Sequence, residues 1–79
     1  MHQVKITYSI NLGKDVGEVV LPRTHLFRVA GASELIKISA GREWGKLKMA
    51  AEVFDLTIEF PTLYFQNSDL EWEKIDWKP

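Results

Sequence analysis

The chain has no cysteine, only three prolines and five glycines, and no long apolar run. Without cysteine there are no disulfide staples, no thiolate nucleophiles and no Cys-type zinc sites. The longest uninterrupted apolar stretches are three or four residues, as in Val19-Val20-Leu21-Pro22, so no segment reads as a secretion signal or a spanning helix. A cytoplasmic location is the expectation that follows. Neither sign of charge dominates, since 10 Lys+Arg face 11 Asp+Glu for a formal net charge of −1, and the total predicts neither nucleic-acid nor membrane binding. Familiar chemical motifs are missing too. The glycines at 13, 17, 31, 41 and 45 form no dinucleotide or Walker pattern, and no serine sits in a Gly-x-Ser-x-Gly elbow. His2 and His25 lack helical spacing to a second ligand. The expectation is a protein that is not an enzyme and has no metal site and no cofactor.

What is present is a single domain over residues 1–79, with 46% hydrophobic and 11% aromatic residues. A chain this short hides only about 60–65% of the surface its unfolded form exposes, so its core is thin. Val4, Ile6, Tyr8, Ile10 and Leu12 alternate with polar residues, the period of a strand with one buried face. Gly13-Lys14-Asp15 reads as a tight turn into a strand over Val16 to Leu21, closed by Pro22. Leu26 to Val29 and Glu34 to Ile38 are both strand-like around Ala30-Gly31-Ala32-Ser33, which predicts a second hairpin; the competing reading makes Ser33 a helix cap. Trp44, Leu47, Ala50, Ala51 and Phe54 share one helical stripe, predicting a short helix over about 41–52. Phe54 to Phe60 alternates as a strand stopped by Pro61, and Asn67-Ser68-Asp69 is turn chemistry.

In the last segment Leu70 and Trp72 share one face of an extended chain, and Ile75 and Trp77 the other. The tether to the preceding turn assigns Leu70 and Trp72 to the core and leaves Trp77 exposed. The fold class is therefore mainly β with one short helix (α+β). The element order suits a small five- or six-stranded barrel or sheet, OB-like or β-grasp-like.

Charge placement carries more than total charge. Residues 23–48 hold Arg23, Arg28, Lys37, Arg42, Lys46 and Lys48 against two acids, whereas residues 49–79 hold seven acids against Lys74 and Lys78. Two binding expectations follow. The leading one is a small non-catalytic protein acting through protein–protein contact, as inhibitor, adaptor or regulatory subunit. Its acidic, aromatic end (Glu71, Glu73, Asp76, Trp77) would meet a basic or nucleic-acid-binding partner. The alternative is a single-stranded nucleic-acid module using Arg23, Arg28, Arg42, Lys46 and Lys48, with Phe27 and Trp44 nearby. A third reading, RNA cleavage by His25 between Arg23 and Arg28, has only half of an acid/base pair. A thin β domain also has edges to cover, and Val4 to Leu12 is the strand from which a homodimer or partner contact is expected.

Overall fold

The computed structural model describes residues 1–12 and 19–79, so the turn expected at Gly13-Lys14-Asp15 and the start of the strand expected from Val16 lie outside the described residues. The elements are β1 (His2–Asn11), β2 (Val20–Val29), α1 (Leu35–Val53), β3 (Thr57–Gln66) and β4 (Trp72–Ile75). The chain is mainly β with one helix. The strands form one open antiparallel sheet in the order β2-β1-β3-β4. This corrects the five- or six-stranded barrel or sheet: among the described residues there are four strands, and the sheet does not close. Among the same residues, no helix is long and apolar enough to cross a membrane.

Three differences from the sequence expectations have definite causes. First, β2 runs unbroken through Pro22. Leu12 donates its N–H to the Val19 carbonyl at 3.0 Å, so the even-numbered residues of β1 bond to the odd-numbered residues of β2. Pro22 is even-numbered, its nitrogen faces the free edge, and no ladder bond is lost. Second, β3 runs through Pro61 because Phe60 and Pro61 together oppose Tyr8 in a bulge, the register shifting between Thr7↔Thr62 and Ser9↔Glu59. Third, residues 35–40 extend the helix toward its N-terminus in place of a second hairpin. Ile36 and Ala40 continue the buried stripe of Trp44 and Ala51, and that burial outweighs the exposure of Leu35 and Ile38.

The helix ends in a Schellman arrangement. Leu56 N–H donates to Ala51 O at 2.9 Å and Asp55 N–H to Glu52 O at 3.1 Å, with Asp55 left-handed at φ 57°. At the other connection Gly31 takes φ 94°, a backbone state that favours glycine.

β1 is the middle of the sheet. Residues paired across strands share a face, so Val4 and Ile6 lie beside Phe27, Leu63 and Phe65 on the side that α1 covers. There Val4, Ile6, Val29 and Leu63 pack with Ile36, Ala40 and Trp44, and Tyr8 meets Trp44 edge-on at 5.6 Å. The edge expected at Val4 to Leu12 is thereby corrected: this strand is paired on both sides, and the sheet ends at β2 and β4.

Candidate interaction surface

The other side of the sheet carries no helix or strand layer among the described residues. Its side chains follow from the register. Lys5 lies between Leu26 and Tyr64, Lys74 lies beyond Tyr64, and Trp72 pairs with Gln66. One row away Gln3 is opposite Arg28, and Thr7 is flanked by Thr24 and Thr62. The centre of this face is a cation held by two rings. Lys5 Nζ stands 4.4 Å from the Trp72 ring centroid and 5.1 Å from that of Tyr64, within the distance at which a ring quadrupole attracts an ammonium.

Apolar surface stays in water here. Leu26 is 65% exposed and Trp72 37%; separately, at the bulge opposite Tyr8, Phe60 is 75% exposed while held at φ 57°. A left-handed backbone costs a non-glycine residue about 1–2 kcal/mol, and Phe60 recovers little of that by burial. The β3–β4 hairpin that presents Trp72 is fixed by Asn67, whose Oδ1 accepts from the N–H groups of Asp69 at 2.9 Å and Glu71 at 3.0 Å. The turn read at Asn67-Ser68-Asp69 is therefore present as an Asx turn.

The structure distributes the expected site residues as follows. Of the acidic-aromatic group, Glu71, Glu73 and Asp76 are exposed, while Trp77 is half-buried and packs against the core. The core assignment at this end is reversed. Leu70 is 75% exposed at φ 63°, Trp72 lies on the uncovered face, and Ile75 and Trp77 turn inward. The cause is the pairing Leu63↔Ile75, which sets Ile75 beside the most buried residue of β3. Of the basic group, Arg28 is on the uncovered face, Arg23 is on the helix side of the edge strand, and Arg42, Lys46 and Lys48 are exposed on α1. Arg28 is thus on the opposite side of the sheet from the other four. Phe27 is half-buried and Trp44 buried beneath the helix, so neither ring is presented alongside those cations.

His25 also points to the helix side. Its Nε2 lies 3.3 Å from Glu43 Oε2 of α1 and its ring stacks on Phe27, which makes it a strand-to-helix tie. Among the described residues, no three His, Asp or Glu side chains are grouped to hold a metal ion.

The residues that sequence reading missed are Lys5, Tyr64, Leu26 and Phe60. A signal was available for the first three. Odd positions of β1 are polar throughout, which marks a wet face, and Lys5 is one of them; Tyr64 and Leu26 pair directly with it. Phe60 had none, because no pattern in the sequence marks the bulge that exposes it. Comparison with family models, with curated proteins and with solved structures returns no match.

Proposed function

We propose that this chain is a small binding protein that works through protein–protein contact, with the uncovered sheet face as its contact surface. The observation that carries the reading is the cluster of Leu26, Lys5, Tyr64 and Trp72 on a face with no second layer among the described residues. Aromatic residues and arginine are the types most enriched in interface centres, and Arg28 flanks the cluster. Rigid strands hold these side chains in place before a partner arrives, so little ordering entropy is lost on binding. The exposed acidic residues Glu71, Glu73 and Asp76 lie at the β4 edge of the sheet, with Glu73 opposite Phe65 of the helix side, and an acidic edge suits a basic rim on the partner.

Site-specific photo-crosslinking tests the reading. A photo-reactive residue at position 26 or 72 should capture a nuclease-resistant protein from a lysate of the source cell, and the same residue at position 42, on the far side of the helix, should not. Equal capture from positions 26 and 42 would remove the sheet face from consideration.

A second reading draws on the same face. Lys5 between two rings, with Arg28 and Lys74 nearby, sets phosphate-compatible cations beside surfaces on which unstacked bases can lie. Binding to a single-stranded oligonucleotide that falls steeply between about 50 and 200 mM salt, and is lost in Trp72→Ala, would favour it. No binding at low salt would dismiss it.

A further inference from the structure

The two edges of the sheet fit each other, and we propose that a second copy of this chain docks there, the β4 edge of one copy adding to the β2 edge of the next. The seam lies at the edges of the sheet, and its side chains Leu26, Arg28 and Trp72 also border the uncovered face.

Backbone direction comes first. Because odd residues of β2 bond to β1, the N–H and C=O groups of Val20, Thr24, Leu26 and Arg28 point away from the sheet. The first half of this edge is closed. Pro22 has no N–H to offer, and its carbonyl accepts from Arg23 Nη1 at 3.0 Å. The second half, Thr24 to Arg28, keeps three outward donors and three outward acceptors. At the opposite edge, Asn67 N–H donates to Glu71 O at 2.9 Å, which makes residues 67 and 71 a bonded pair and, by alternation, 65 with 73 and 63 with 75. Trp72 and Lys74 therefore also point outward.

Polarity comes second. β2 and β3 both run against β1, and β4 runs against β3, so β4 and β2 are antiparallel. A second copy in the same orientation continues one antiparallel sheet without a break.

Register and charge come last. β2 carries Arg23 and Arg28 and no acid, whereas the segment around β4 carries Glu71, Glu73 and Asp76 against Lys74. The closed half at Pro22 confines pairing to residues 24–28. Setting Trp72 opposite Arg28 and Lys74 opposite Leu26 gives a cation over a ring and an aliphatic stem over a leucine. Sliding by two residues one way puts Lys74 against Arg28, like against like; sliding the other way carries the β4 segment onto Pro22. A symmetric β2–β2 seam would collect four arginines and no carboxylate. The head-to-tail arrangement sets the acidic segment around β4 alongside the basic β2 edge without a direct carboxylate–arginine pair, and being heterologous it extends into short open chains. With only a few residues paired, it is weak and salt-sensitive.

Sedimentation velocity on the full chain tests it. The weight-average sedimentation coefficient should rise across about 10 µM to 1 mM protein at about 50 mM salt, and the rise should largely vanish at about 500 mM. Leu26→Pro closes the β2 edge and Lys74→Pro the β4 edge, each at an outward nitrogen that costs no internal ladder bond. Each variant alone should be monomeric, and an equimolar mixture should form a one-to-one heterodimer, since each retains the edge the other lacks. If circular dichroism shows either proline variant unfolded, Arg28→Glu replaces Leu26→Pro and Glu73→Lys replaces Lys74→Pro; each should weaken association at least about tenfold. A wild-type chain that stays monomeric throughout, a mixture that stays monomeric, or a β4-edge variant that associates like the wild type would overturn the proposal. The last of these results would indicate a symmetric β2 dimer instead.

Discussion

The two sides of the sheet are made from the same strands and differ in what lies over them. Under α1, Val4, Ile6 and Leu63 are almost wholly removed from water, and Trp44 retains 7% of its surface. On the other side the same strands hold Lys5, Thr7, Tyr64 and Leu26, with an indole left at the surface beside an ammonium. The difference teaches how a 79-residue chain divides its aromatic side chains. One set packs with the helix to form the only buried layer among the described residues, and Tyr64 and Trp72 lie on the uncovered face.

The strongest way to break this comparison is to truncate one tryptophan from each side. Trp44→Ala should cost about 3–5 kcal/mol, enough to leave a domain of this size largely unfolded at room temperature. Trp72→Ala removes a partly exposed ring and a cation–π contact worth about 0.5–1 kcal/mol, and should keep a cooperative melt close to that of the parent. Thermal melts decide it, and equal destabilisation by the two variants would mean that the uncovered face supports the fold as much as the covered one.

A smaller pair of effects distinguishes the two sides of the helix. Gly41 and Gly45 lie within α1 and have nothing within 4 Å of an added Cβ. Replacing either by alanine should stabilise the protein by about 1 kcal/mol, raising the melting temperature by about 4–8 °C. Ala40→Gly, on the buried side, should lower it. The bulge gives a change of similar or smaller size. Phe60→Gly relieves a left-handed phenylalanine and should raise stability by up to about 1 kcal/mol while reducing any binding that uses the exposed ring. The least effect belongs to the link between helix and strand. Glu43→Gln weakens a half-exposed contact to His25 and should change stability by about 0.2–1 kcal/mol in urea titration.

Legibility in the sequence followed how local the deciding interaction is. β1 and the Asn67 turn were readable because alternation and an Asx side chain act within a few residues. The start of the helix was not. Leu35, Ile36 and Ile38 look like a strand, and only the packing of Ile36 and Ala40 under the sheet makes them helical. The prolines misled for a related reason. Whether proline ends a strand depends on which way its nitrogen points, and that is set by pairing with β1 for Pro22 and by the bulge opposite Tyr8 for Pro61. For the proposed contact surface, the opposite-face relation of Trp72 and Trp77 was legible from a period of two. Which of them is inside was decided by Leu63↔Ile75, a pairing between segments that no local signal encodes. Adjacency in sequence does not survive a strand followed by a helix, and Arg28 and Arg42 end on opposite sides.

The central position of β1 has a consequence for the order in which the chain acquires structure during synthesis. β1 can zip to β2 once residue 29 has emerged, but its second partner is complete only at Gln66. At about 5–20 residues per second that delay is roughly 2–7 s, long beside the microseconds a hairpin takes to form. For those seconds the middle strand of the future sheet is an edge. Lys5 stands within that temporary edge, and its charge makes it a poorer template for another nascent copy. That charge on β1 thus protects the growing chain before it furnishes a surface for the finished one.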